Sequence, residues 1–173
     1  MKTKNMVIGG LLTALAIVIP MVSFKLPLPY PFSVTFASHV PVMLAMFINP
    51  VIAVIVAAGS AIGFLITLGP VIAARAAMHI IFAFVGAVMI QKKNSIWLMA
   101  LLTMILHGVC EGLIIQILGD AIVTLPEGYT ITKMSIFVGV GTLFHHAVDF
   151  AITYAVYIPL EKAGFFRKYV LNL

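Results

Sequence analysis

Residues 69–82 read GPVIAARAAMHIIF, and the apolar run continues through AFVGAVMI to Ile90. About 20 apolar residues are what a helix needs to cross a bilayer, and the Gly69–Pro70 pair in front of the run is a helix breaker that marks where it starts. The stretch therefore predicts a transmembrane helix. Within it stand Arg75 and His79, four residues apart and so on one helical face. A charged side chain at membrane depth costs roughly 2.5–3.5 kcal/mol on insertion scales, so it faces a partner, a cavity or a ligand rather than lipid.

The rest of the chain repeats the pattern. Of its 173 residues 63% are hydrophobic and 9% charged, and the mean hydropathy is +1.21. That leaves too little polar surface to cover a soluble globule, so the expected fold is an all-α integral membrane bundle in one domain over 1–173. Read between Pro, Gly and Asn breakers, six spans emerge at about 6–24, 36–48, 50–68, 70–90, 96–118 and 133–158. The second is short for a straight span and holds Pro41, so it is expected to be tilted, kinked or partly re-entrant. The first run has no small-residue cleavage motif behind it and is expected to be retained. With Cys110 as the single cysteine, an intrachain disulfide and a multi-cysteine metal site are excluded.

Basic residues orient the spans. With the N-terminus inside, Lys2, Lys4, Lys92, Lys93, Lys162, Arg167 and Lys168 fall on the cytoplasmic side, and only Lys25 and Lys133 fall outside. By the positive-inside rule both termini are expected in the cytoplasm. The net charge of +5 then reflects topology and anionic lipid headgroups, and nothing in it calls for nucleic acid.

On this topology Arg75 sits about five residues, roughly 7 Å, below the outer end of its helix, with His79 one turn deeper. The same spacing recurs in HGVCE, placing His107 and Glu111 on one face of the fifth span, and in HHAVD, placing His145 and Asp149 on one face of the sixth. With His39 in the second, all five histidines fall within predicted spans. Three readings compete. The first is polar glue, an Arg75–Glu111 pair and a His145–Asp149 hydrogen bond at about 1–2 kcal/mol per contact. The second is an intramembrane site for a metal or for protons. The third is a ligand pocket open to the outside, formed by Arg75, His79, His39, Glu111 and His107. No HExxH and no activated nucleophile is present, so no enzyme is expected and no cofactor is implied.

Two external loops flank that pocket. KLPLPYPFS, residues 25–33, is stiffened by three prolines and offers Tyr30 and Phe32 as aromatic contacts for a substrate, as a lid or as an interfacial anchor. GDAIVTLPEGYT, residues 119–130, is the second possible cover. Small residues at four-residue spacing (Gly10 and Ala14, Ala53, Ala57 and Ala61, Gly59 and Gly63, Ala73 and Ala77, Gly108 and Gly112) mark surfaces where backbones approach closely, within the bundle or against a partner.

The short chain, its six spans, the Pro-rich first loop and the stretches FASHVPVMLAMFINP, 36–50, and PVIAARAAMHIIFAFVGA, 70–87, resemble the substrate-binding S component of an energy-coupling factor vitamin transporter. The resemblance covers essentially the whole chain. It implies capture of a water-soluble vitamin at the outer face of a bacterial cell membrane, and association with a transmembrane coupling protein and two ATPase subunits. The chain has no GxxxxGK[ST] of its own, so ATP hydrolysis falls to those partners. The resemblance implies that Gly10 and Ala14 dock on the coupling protein. For the substrate, Arg75 suits the carboxylate of niacin or pantothenate. If Glu111 already neutralises Arg75, a neutral ligand such as cobalamin, with histidines near its cobalt, fits instead. Cobalamin and niacin are the favoured vitamins.

Overall fold

The computed structural model describes residues 3–26, 28–119 and 122–166. Lys2, Arg167 and Lys168, counted above toward the cytoplasmic side, lie outside the described residues, as do Pro27 of the first loop and Asp120 and Ala121 of the second.

The helices begin where the local chemistry lets them. Helix α1 covers Thr3–Val22. A loop containing a small antiparallel ribbon follows, β1 (Lys25–Leu26) paired with β2 (Val34–Thr35), and leads into the short α2 (Val40–Met46). Helix α3 (Pro50–Leu68) is capped by Asn49, whose side chain accepts from the Ile52 amide at 3.0 Å, with Pro50 in the first turn. Gly69, at φ 84°, turns the chain into α4 (Pro70–Ala77), which passes through Met78 into α5 (His79–Gln91). Helices α6 (Ile96–Leu118) and α7 (Ile131–Lys162) complete the bundle. Five helices among the described residues are long and apolar enough to cross a membrane, α4 and α5 together counting as one.

The second predicted span is the departure. Instead of a helix over 36–48, residues 36–39 form turns, Ala37 takes φ 60°, and helix begins only at Val40, where Pro41 fits the first turn. Seven residues rise about 10 Å, far short of the roughly 30 Å hydrocarbon core. Irregular backbone within a membrane bundle is tolerable only where protein satisfies its polar groups. Here Asp149 of α7 does so, its Oδ1 accepting from the Ala37 amide and its Oδ2 from the His39 amide, both at 3.1 Å. Helix α2 itself is enclosed, with Val42, Met43 and Ala45 fully buried against α1, α3 and α5. A smaller break lies between α4 and α5, where the Met78 amide bonds back to Arg75 at 2.9 Å and tightens the turn.

Small residues set the helix spacing. A Cβ on Gly63 would lie 2.6 Å from the Ile17 carbonyl oxygen, so α1 and α3 touch backbone to backbone. A Cβ on Gly108 would meet the Gly139 carbonyl at 2.8 Å, so α6 and α7 do the same. Lys4 Nζ donates to the Gly164 carbonyl, which places the start of α1 and the end of α7 at the same end of the bundle. At the other end the two long loops pack together: Phe32 and Val123 are buried in one apolar cluster with Val71, Ile115, Met134 and Val138. The cluster closes that end.

Candidate functional site

Beneath the cap, α4, α5, α6, α7 and the unwound segment before α2 bring their polar residues to one place. Arg75 and Glu111 are 4% exposed each, His39 3%, His79 1% and His107 0%. Glu111 is the hub. Its Oε2 accepts from Arg75 Nη2 at 2.5 Å and Nε at 3.2 Å, and from the Thr142 hydroxyl at 2.6 Å. Its Oε1 faces His107 Nε2 at 3.4 Å and His79 Nε2 at 3.5 Å. The fourfold spacing explains this geometry, since Arg75 with His79 and His107 with Glu111 each present one face, and the two faces meet.

Arg75 also ties the loop to the bundle. Its Nη1 donates to the Pro31 carbonyl at 2.5 Å, and its guanidinium carbon lies 5.3 Å from the centre of the Phe32 ring, which itself packs edge-on against Phe137. One side chain thus senses both the helices and the cover above them.

A second hub is Asp149. Besides the two loop amides, its Oδ2 accepts from His39 Nδ1 at 2.8 Å and from His145 Nε2 at 3.2 Å. His39 joins the hubs, since its Nε2 lies 3.1 Å from His79 Nε2. His79 Nδ1 is 3.3 Å from the Ser60 hydroxyl, and His107 Nδ1 is 3.0 Å from His146 Nδ1. Among the described residues, three buried polar atoms have no hydrogen-bond partner: Thr35 Oγ1, Ser38 Oγ and His107 Nε2. Ser38 lines a cavity together with His39, Arg75, His79, Glu111 and His145. Its volume is about 20 Å³, room for one water or one ion.

The predicted pocket residues Arg75, His79, His39, Glu111 and His107 therefore converge. The two aromatic residues separate: Phe32 is buried on Arg75, whereas Tyr30 is 43% exposed and does not line the cavity. The His145–Asp149 contact, expected as helix-internal glue, is present, and the same carboxylate reaches His39 and the residue 37–39 backbone. That role of Asp149 was not foreseen, nor were Ser60, Thr142 and His146. Their signal in the sequence is only that polar side chains stand inside apolar runs. Gly10 and Ala14 are exposed on α1, and nothing lies within 4 Å of a Cβ built on Gly10. Gly9, its neighbour, is the one that packs inward against Ile52.

Chemically, the arrangement offers a fork of guanidinium N–H donors, several imidazole nitrogens and a free hydroxyl, all shielded from lipid and covered by a loop. It can recognise a small polar or anionic molecule, or hold a cation among its imidazoles. Compared with known proteins, the chain is 32% identical over 170 residues to the niacin transporter NiaX of Lactococcus lactis subsp. cremoris, an alignment covering 94% of this chain and 77% of that protein. No family model matches, and no solved structure matches.

Proposed function

The chain belongs to the family of the niacin transporter NiaX, and on that premise we propose that it is a vitamin-binding S component that captures niacin and delivers it for ATP-driven uptake. The observation that carries the proposal is the buried Arg75 in the wall of the covered cavity, with His39 and His79 beside it. Niacin is a planar pyridine bearing one carboxylate. Arg75 keeps Glu111 on Nε and Nη2 and has Nη1, now on the Pro31 carbonyl, as the donor a carboxylate would take, and an imidazole N–H is a donor for the ring nitrogen. Niacin is favoured over cobalamin because a cavity of about 20 Å³ needs only the loop to lift for a single ring, whereas a corrinoid would require the bundle to part. Pantothenate, a flexible carboxylate, is the alternative.

In this mechanism Arg75 is the link between the loop and the substrate. Its Nη1 holds the Pro31 carbonyl and with it the loop. A substrate carboxylate competes for that nitrogen, so binding releases and then re-seats the loop, with Phe32 and Val123 excluding water above the site. Basic residues orient the covered end toward the outside of a bacterial cell membrane, both termini facing the cytoplasm. Transport requires a transmembrane coupling protein and two ATPase subunits, and the exposed Gly10–Ala14 face of α1 is where the coupling protein docks.

The test is calorimetry on the purified chain with niacin, nicotinamide, pantothenate and cobalamin. Nanomolar binding of niacin and at least about a hundredfold weaker binding of nicotinamide, which lacks the charge, is the expected result. Equal affinity for the acid and the amide would remove Arg75 from carboxylate recognition.

A further inference from the structure

The imidazoles of the cluster also converge on one another at the spacing of metal ligands. His39 Nε2 and His79 Nε2 stand 3.1 Å apart, and Glu111 Oε1 stands 3.5 Å from His79 Nε2 and 3.4 Å from His107 Nε2. In a tetrahedral zinc site with bonds of about 2.0–2.1 Å, neighbouring ligand atoms are roughly 3.3–3.4 Å apart. The three separations fall around that edge length. One ring nitrogen from each of His39, His79 and His107 lies within 4.8 Å of the other two.

The far sides of the three rings are occupied. His39 Nδ1 is held by Asp149 at 2.8 Å, His79 Nδ1 meets Ser60 at 3.3 Å, and His107 Nδ1 meets His146 at 3.0 Å. Metal-bound histidines are held in this way by a partner on the other nitrogen, which sets the ring and leaves the facing nitrogen for the ion. His107 Nε2 is fully enclosed and, apart from the 3.4 Å approach of Glu111 Oε1, has no hydrogen-bond partner among the described residues. The adjoining cavity, about 20 Å³, has the size of an ion or a water.

We propose that His39, His79 and His107 bind one divalent transition-metal ion, zinc by the character of its donors, with Glu111 Oε1 beside two of them, and that this ion helps hold the vitamin's carboxylate. The second half rests on the niacin reading above. Charge supports it. Arg75 contributes one positive charge, Glu111 and Asp149 one negative charge each; with neutral imidazoles the unmetallated site is net negative and repels an acid. A divalent ion turns the sum to one positive charge, the complement of a monocarboxylate. Glu111 keeps Arg75 on Oε2, so an incoming carboxylate can take an open position on the ion without breaking the pair.

The experiment uses the full chain in lipid nanodiscs, stripped with chelator, titrated with Co²⁺ and read by the visible absorption of four-coordinate cobalt, then by displacement with Zn²⁺ and elemental analysis. One ion per chain is expected. His39→Ala and His107→Ala should weaken uptake by about a hundredfold or more, while Cys110→Ser leaves it unchanged and excludes the lone thiol. If His107→Ala aggregates, His107→Gln, which keeps bulk and a polar head but lacks the imidazole, carries the comparison. Calorimetry with niacin on the loaded and stripped chain reads the second half, with at least about tenfold tighter binding expected when loaded. A stripped chain that takes up no ion yet binds niacin overturns the metal site and leaves the niacin reading standing. Uptake of one ion with equal niacin affinity in both states overturns the anchoring role. Uptake of one ion with no niacin binding in either state overturns the niacin reading and the anchoring role with it.

Discussion

Arg75 is the residue on which the site turns, because it is shared between Glu111, the Pro31 carbonyl and the face of Phe32. Arg75→Ala should raise the niacin Kd by about thirtyfold or more, the roughly 2 kcal/mol minimum for truncating a buried, hydrogen-bonded charge. Arg75→Lys should recover little of it, since an ammonium cannot reproduce the planar fork. Calorimetry on both variants decides: full affinity with lysine would reduce Arg75 to a point charge. If instead Arg75→Ala unfolds and the double change with Glu111→Ala restores folding with unaltered affinity, the pair is structural. Asp149 predicts a different phenotype. It accepts from two loop amides and two histidines, so Asp149→Asn should lower stability by about 3 kcal/mol, as breaking a buried charged network does, and loosen the 36–39 segment first. Thermal unfolding and hydrogen exchange at residues 36–40 would report it, and unchanged protection there would dissociate Asp149 from the loop.

At the scale of elements, the interrupted helices are what make the site. Straight helices over 36–48 and 70–90 would satisfy their own backbones and leave Asp149 no amides to accept. Unwinding before α2 delivers His39 to the bundle centre, and the tight turn at Met78 joins the segment bearing Arg75 to the one bearing His79. The two kinds of glycine surface on α1 and α3 lead to opposite expectations. Gly63→Leu must push Ile17 backbone away and should cost about 2–3 kcal/mol of overpacking, seen as a lowered Tm of the isolated chain. Gly10→Leu enters open space and should change that Tm little, within about 0.5 kcal/mol, yet weaken assembly with a co-expressed coupling protein. Normal co-purification of Gly10→Leu, alone and combined with Ala14→Leu, would take α1 out of the docking surface.

For the whole molecule, the arrangement is a bundle closed at one end by loops and built around a buried polar centre. Such a centre is costly to maintain, and in a membrane protein it is kept where substrates or ions pass. Co-expression with a coupling protein and a pair of ATPases should yield a complex whose ATP hydrolysis rises with niacin. A chain that transports niacin in vesicles without any ATPase would overturn that division of labour. Cysteine labelling at Tyr30 and at Lys93 in intact cells should mark the first from outside and spare the second, and the reverse pattern would invert the orientation.

The starts of α3, α4 and α6 fall where Pro50, Pro70 and the residues after Asn94 place them in the sequence, because a helix in lipid must satisfy its backbone within itself, and that is a property of a local run of residues. The fourfold spacings of Arg75 with His79 and His107 with Glu111 were legible for the same reason: helical periodicity is local. What remained hidden was set by distance along the chain. Asp149 reaches back 110 residues to His39, and that one carboxylate satisfies the backbone where 36–39 leave the helix and meets two of the histidines. No local pattern encodes a partner so far away; only packing the helices against one another chose which polar groups would face each other and which backbone amides a distant side chain would accept.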